Sequence, residues 1–379
     1  LALSLVPVFC SALFNFCKRG ARQLKSTYIP DMTKQRTNPS AQRVPARSLV
    51  NPDVLKHIQS RSDWIAFGLI FHAWGLIFAA MALFAAFPNP LTFLLAIMII
   101  GARQLGLAIL MHDAAHNALF KTNKFNLILS DIFCAWPQMA RTDAYRRYHL
   151  QHHARTQQAD DPDLILSAPF PITGKSLRRK MIRDLTGQTG YQQRKAQTIS
   201  AFGPSDLSII GRLTHFWQKL GPSVIANLVI FALCASLFHW SYYLMFWVLP
   251  LITYHMAITR LRNIAEHAVV PDNNDPFRNA RTTLASPLAR LFLAPYWVNY
   301  HVEHHLLMHV PCYRLRAMHE ALLAAGHGDK MEIAPNYFTV LRKACSKSDD
   351  QDRPGKIVHD GRRRVSGNFT EGFAEPPTA

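Results

Sequence analysis

From Trp64 to Met111 the chain carries a single charged side chain, Arg103. The run is divided by Pro88-Asn89-Pro90 into Trp64–Phe87 and Pro90–Met111. Each piece exceeds 20 residues and so, at about 1.5 Å per residue, can cross a hydrocarbon layer of roughly 30 Å as a helix. With so short a link, the two must form a hairpin whose outer ends lie on one side of the membrane. A second block, Ser223–Thr259, also lacks Lys, Arg, Asp and Glu. It is too long for one crossing and suits two short ones, with the turn at His239-Trp240-Ser241 and Tyr242-Tyr243 beside it, because aromatic residues collect at the interface. The expected fold class is therefore all-α, an integral membrane protein with four spans in two hairpins.

Charge sets the orientation. The 379 residues contain 42 Lys+Arg against 24 Asp+Glu, a formal charge of +18, yet only 17% are charged, against about 25% in a soluble domain. Neither hairpin turn carries Lys or Arg, whereas 141–219 is rich in both, from Arg141 and Arg146 to Arg212 and Lys219. The positive-inside tendency places everything outside the hairpins in the cytosol. Nucleic-acid binding, the other meaning of a basic chain, has no supporting motif, and the membrane accounts for the charge.

The expected domains are a basic, partly irregular arm at 1–60, with a short helix near Asp53–Ser60, a membrane domain at 61–325, and a C-terminal tail at 326–379, largely disordered after 346. Residues 1–17 are apolar with Lys18 and Arg19 behind them. A secretory signal has the opposite order, so this piece reads as upstream sequence or a short anchor. Phe125–Met139 and Leu284–Tyr300 suit helices lying in the interface. The six cysteines form no C-x-x-C and suggest neither zinc nor iron–sulfur binding.

Histidine is the unusual residue, with 18 copies, and three clusters stand out: His112-Asp113-x-x-His116, His149-x-x-His152-His153 and His301-x-x-His304-His305. All lie outside the hairpins. Residues four apart share a helix face, and the extra His152 and His304 fan about 100° away. Eight imidazoles exceed the four ligands of a tetrahedral zinc and suit two metals with open positions. Metal binding also answers the energetic problem, since so many imidazoles would repel one another if protonated. His57, His72, His215, His239, His255, His309, His319, His327 and His359 read as ordinary polar residues. Asp113, Glu266 and Glu303 flank cluster histidines and could orient them by hydrogen bonds or simply solvate their helices.

In order, spacing and position relative to two hydrophobic hairpins, the clusters resemble the three histidine boxes of the membrane fatty acid desaturases, over about residues 60–325. Asn263-Ile264-Ala265-Glu266-His267 is similar to that family's Asn-x-x-x-His element. The resemblance implies two irons held by His112, His116, His149, His152, His153, His267, His301, His304 and His305, with Asn263 acting through water. It implies catalysis at the box histidines: O2-dependent removal of two hydrogens from an acyl chain to leave a double bond.

Box one has three intervening residues, which points away from the animal acyl-CoA enzymes towards the acyl-lipid, sphingolipid or carotenoid-modifying branches. The stretch 299–311 is similar to bacterial members grouped with dihydrorhizobitoxine desaturase. With no His-Pro-Gly-Gly element of a fused cytochrome b5-like domain, electrons would come from a separate ferredoxin-like or cytochrome b5-like protein. The expected partners are that donor, an acyl-lipid or acyl-chain substrate and membrane lipids, with no nucleic acid. Trp136, Trp217 and Trp297 would lie near the polar end of a substrate path or anchor the interface, and the basic segment 175–195 would meet headgroups or an acidic donor. Two alternatives remain: a hydroxylase or ketolase of the same superfamily acting on a carotenoid, alkane or small substrate, and a metal-binding membrane protein without redox chemistry.

Overall fold

The computed structural model describes residues 44–347. The chain divides into two units, 1–39 and 40–379, and the described residues all belong to the second. The apolar segment 1–17, most of the basic arm and the tail beyond 347 lie outside them. Near the start, helix α1 (Pro52–Ile58) is capped by the Asn51 side chain, close to the expected Asp53–Ser60.

The first span, α2 (Asp63–Ala86), begins where the Ser62 hydroxyl accepts from Ile65 N–H. The second, α3 (Pro90–Ala115), opens on a capping box between Asn89 and Thr92 with proline at its first turn, which satisfies the otherwise orphaned N–H groups. A short helix, α4 (Asn123–Ser130), continues through one wide turn and a 3-10 turn to Gln138, so Phe125–Met139 is helical nearly throughout. Box two sits on α5 (Thr142–Arg155). Two basic helices, α6 (Gly174–Leu185) and α7 (Gln188–Ala201), lead to the third span, α8 (Ile209–Leu237).

The fourth span runs from Tyr243 to His267. It is interrupted at Thr253, after which α9 (Tyr254–His267) completes it. Among the described residues, these four helices are long and apolar enough to cross a membrane. The second hairpin is longer than its uncharged core. The extra turns carry Arg212 and Lys219 at one end and Arg260, Arg262, Asn263 and Glu266 at the other, and these side chains hide the helix from an apolar scan.

Aromatic packing aligns the two hairpins. Phe84 and Phe93, on either side of the first turn, both meet Phe246, with ring centroids 5.0 and 5.6 Å away. Phe84 also meets Tyr242. Both turns therefore lie at one end of the bundle, and the opposite ends of α3 and α9 carry box one and His267. These inner helices are also the more enclosed: 67% of the α3 window and 50% of the fourth-span window are buried, against 28% for each of the outer spans.

Beyond α9 the chain is compact but less regular. Strand β1 (Thr282–Thr283) pairs in parallel with β2 (Ile333–Ala334). Between them come α10 (Pro287–Phe292), box three on α11 (His301–Leu306), and α12 (Leu315–Ala324). The last described helix is α13 (Tyr337–Ala344). The helix expected over Leu284–Tyr300 is confined to α10 and one 3-10 turn, because Tyr296 and Trp297 both take left-handed backbone angles, with φ of 52° and 57°. That geometry is unfavourable for bulky residues. Here the Tyr296 ring is wedged against Gly106 of α3, and its hydroxyl reaches His72 Nδ1 (2.9 Å) and Leu69 O (3.1 Å). Trp217 is half exposed, while Trp136 and Trp297 are partly buried.

One close approach yields a direct test. A Cβ on Gly190 of α7 would stand 2.5 Å from Ile252 O and 2.6 Å from Ile252 Cα, at the interruption of the fourth span. Backbone cannot move aside as a side-chain tip can. Gly190→Ala should destabilise the fold by about 1–3 kcal/mol, read as a lowered unfolding midpoint in detergent. An unchanged midpoint would show that this contact is not tight.

Candidate metal centre

Three helices bring the boxes together at the end of the bundle opposite the hairpin turns. α3 delivers His112 in its last turn and His116 as the residue capping it. α5 is fixed at its start by Asp131, whose carboxylate accepts Thr142 N–H (2.8 Å), and at its end by the Thr156 hydroxyl donating to His152 O (2.9 Å). α11 is held from behind by Glu303, which accepts from the Thr282 hydroxyl and from His319 Nδ1.

Nine imidazoles converge in two neighbouring groups. The ligand nitrogens of His112, His116, His149, His153 and His304 all lie within 4.8 Å of one another, as do those of His152, His267 and His305. His301 joins the second group, with its Nε2 2.8 Å from His267 Nε2 and 3.1 Å from His305 Nε2. Boxes two and three each serve both groups: His149 and His153 go one way and His152 the other, and His301 and His305 are parted from His304. The helical fan of about 100° between neighbouring positions is what divides them. The groups adjoin, with the His153 and His305 ring centroids 4.4 Å apart. Asn263 stands one turn before His267 on α9 and is half-buried.

The chemistry of this donor set fits metal ions. His153 Nε2 lies 3.0 Å from His149 Nε2 and 2.9 Å from His304 Nε2. Two nitrogens each about 2.1 Å from one ion and at right angles are about 3 Å apart, and three such atoms cannot satisfy one another with one proton per ring. His112 Nε2 and both ring nitrogens of His116 are buried without a hydrogen-bond partner, a costly condition unless something else accepts their lone pairs. The inner spans α3 and α9 also end here, and a helix C-terminus favours a cation.

Electrostatics agree. Burial, reinforced by neighbouring imidazoles, holds His149, His153, His301, His304 and His305 well below the ordinary histidine value. Burial, with His309 and Arg146 close by, brings His116 to about 3. These rings are neutral and ready to coordinate. His152 is the exception. Burial pulls it down, but its hydrogen bond to Asp161 and the charges of Asp163 and Asp161 outweigh that and raise it.

Asp161 is the supporting group that sequence reasoning missed. It is buried and accepts from His152 Nδ1 at 2.8 Å, while also accepting the backbone N–H groups of Gln157 and Asp163 (both 2.8 Å). A hint existed in Asp160-Asp161-Pro162-Asp163, an acidic run inside a basic segment. Of the three carboxylates flanking box residues, Asp113 Oδ1 reaches His112 Nδ1 at 3.3 Å and Glu266 Oε2 stands 3.6 Å from His301 Nε2. Glu303 turns instead to Thr282 and His319. A carboxylate on the ring nitrogen that faces away from the metal, as Asp161 is on His152 Nδ1, usually accounts for about 10–100-fold in metal affinity. Asp161→Asn is therefore expected to weaken metal binding by about that factor, measured by competition with a chelator, and unchanged binding would remove Asp161 from any supporting role.

Four apolar spans capped at one end by a buried pocket of imidazoles define an integral membrane protein whose working site is built for metal. Residues 88–334 match the sequence model described as fatty acid desaturase, and the chain belongs to that family, whose members are oxidoreductases. It is also 27% identical over 232 residues to dihydrorhizobitoxine desaturase of Bradyrhizobium elkanii, a match that takes in 58% of this chain and 65% of that protein's length.

Proposed function

We propose that this protein is an O2-dependent di-iron desaturase that introduces a double bond into a lipid acyl chain. The observation that supports this most is the convergence of nine imidazoles into two adjoining groups at the end of the membrane spans. On this reading His112, His116, His149, His153 and His304 hold one iron, and His152, His267, His301 and His305 hold the other, with Asn263 acting through water. When bound, reduced iron would supply O2 activation and the power to take hydrogen from an unactivated C–H bond.

The chain's own residues do the rest. Asp161 fixes the His152 ring so that its Nε2 points into the pocket. The neutral state of the other rings keeps their lone pairs available. The apolar faces of the spans admit an acyl chain from the bilayer, and a separate redox protein brings electrons. The site faces the cytosol, in keeping with the absence of Lys and Arg from both hairpin turns and their abundance in 141–219.

Expression in a host of known lipid composition, with mass spectrometry locating unsaturation, tests this reading. New double bonds that require O2 and vanish in a box-histidine variant are expected. Unchanged lipids beside intact, iron-loaded protein would refute the acyl-lipid substrate. A second substrate class is favoured by the relative's name, which specifies dihydrorhizobitoxine; offering that compound to the same protein separates the two. Product carrying oxygen from labelled O2 would indicate hydroxylation instead.

A further inference from the structure

Arg281 is 1% exposed and lies outside the histidine pocket. An arginine so deeply enclosed needs partners for its charge and its donors. Among the described residues one carboxylate, Glu332, meets it, at 3.1 Å from Nε. The rest of the guanidinium is spent on the end of α9. Nη1 donates to Ala268 O (2.8 Å) and Ala265 O (3.3 Å), and Nη2 donates to Val269 O (2.8 Å). The Arg281 backbone N–H donates to Glu266 O at 2.8 Å. Gln157 Nε2 takes His267 O, also at 2.8 Å. Every carbonyl from residue 265 to 269 is thereby occupied, and four of the five by Arg281.

Those of 265 to 267 are carbonyls that a helix leaves orphaned at its C-terminus, and 268 and 269 open the turn beyond it. The usual solution is a glycine turning left-handed just past the end. Here the turn is made by Val269, with φ of 53°, a poor choice for a β-branched residue that persists only where the surroundings impose it. Arg281 supplies that imposition, and His267 sits in the middle of the segment it grips.

We propose that Arg281 is the positioning residue for His267: its guanidinium clamps the end of α9 so that the His267 ring is delivered to the second imidazole group. The proposal rests on the reading that the nine imidazoles hold two metals. A lysine would not serve equally, because a point-like ammonium cannot span three carbonyls as a planar fork does. The clamp is anchored in turn by Glu332, beside the pairing of Thr282 with Ile333. The following helix, α13, packs Val340 and Ala344 on Ile264, Ala265 and Ala268. α13 lies beyond the family match at residue 334, so this chain supports its second metal position partly with residues outside the shared region.

Anaerobic titration of the full-length protein in detergent with Fe(II), and separately with Co(II), whose visible bands report coordination, tests the clamp. Wild type should take two equivalents. In Arg281→Gln the second should bind about 10–100-fold more weakly, with changed cobalt bands, while the first stays within about twofold. Arg281→Lys, which restores charge without the fork, should remain impaired. Arg260→Gln is the control for a general loss of stability. Arg260 is on α9 with His267, and its loss breaks the pair with buried Asp184 of α6 (2.5 Å); it should lower the unfolding midpoint while leaving both equivalents intact. If Arg281→Gln binds both as wild type does, or weakens both equally with only the stability loss of Arg260→Gln, the clamp is refuted and the two-metal reading stands. If wild type itself binds fewer than two, both fall together.

Discussion

Replacing His153 by alanine is expected to empty most of the proposed metal centre and abolish the proposed desaturation. Its Nε2 stands within 3.0 Å of the Nε2 atoms of both His149 and His304. Its ring also lies 4.8 Å from that of His116 and 4.4 Å from that of His305, centroid to centroid. Among the described residues, no other side chain joins box one, box two and both histidines of the His304-His305 pair so closely. Groups that only support a ligand account for about 10–100-fold in affinity; loss of a ligand at the junction should exceed about 100-fold. Metal content per chain and product analysis on the same preparation measure it. His215→Ala is the matched comparison, since that ring lies outside the imidazole groups, hydrogen-bonded to Ala201 O (2.7 Å), and should leave both readings at wild-type level. A His153→Ala protein that kept two metals and its activity would sink the proposed centre.

Acidification should destabilise the metal-free protein far more than the loaded one. Six histidines (His116, His149, His153, His301, His304 and His305) have folded-state values below the ordinary 6.5, with His116 at about 3. Between about pH 6.5 and 3 the unfolded chain therefore binds more protons than the folded one. Stability falls as pH falls through that window, by up to about 1.4 kcal/mol per group per pH unit. His152 runs the other way, its raised value favouring the folded form at low pH, but it stands against six. Bound metal excludes protons from the same nitrogens, which defers the loss until protons displace it. Going from pH 7.5 to 5.5 should lower the metal-free unfolding midpoint by at least about 5 °C and the loaded midpoint by much less. Equal shifts would mean that the rings are not buried together as described.

Much of this molecule was legible from local pattern. Charge-free runs gave the spans, Pro88-Asn89-Pro90 gave the first hairpin turn, and four-residue histidine spacing gave one-sided presentation on helices. His267 was found through its resemblance to a family element, not through periodicity. What escaped depends on contacts between residues far apart in the chain. The last turns of α9 carry Arg260, Arg262, Asn263 and Glu266 and look like loop by hydropathy, although burial of Ile264 and Ala265 in the packed fold makes them helix. Asp161 lies nine positions from its partner His152, and Arg281 lies twelve to sixteen from the carbonyls it holds, so neither falls on a helical repeat. The partition of boxes two and three between the two groups follows from the angular fan, but only once the facing helix is in place. The left-handed Tyr296 and Trp297 cut the expected 284–300 helix short without any turn residue to announce it; the Tyr296 ring packs against Gly106, a contact between residues far apart in the chain.

The unequal enclosure of the four spans has an evolutionary consequence. α2 and α8 turn most of their surface outward, and lipid asks only that such a surface be greasy. α3 must fit its neighbours along most of its length and the fourth span along about half of it, and both end on histidines in fixed places. Substitutions should therefore accumulate freely along the outer pair and slowly along the inner one. Distant cousins could share hardly a letter along α2 and still assemble the same pocket.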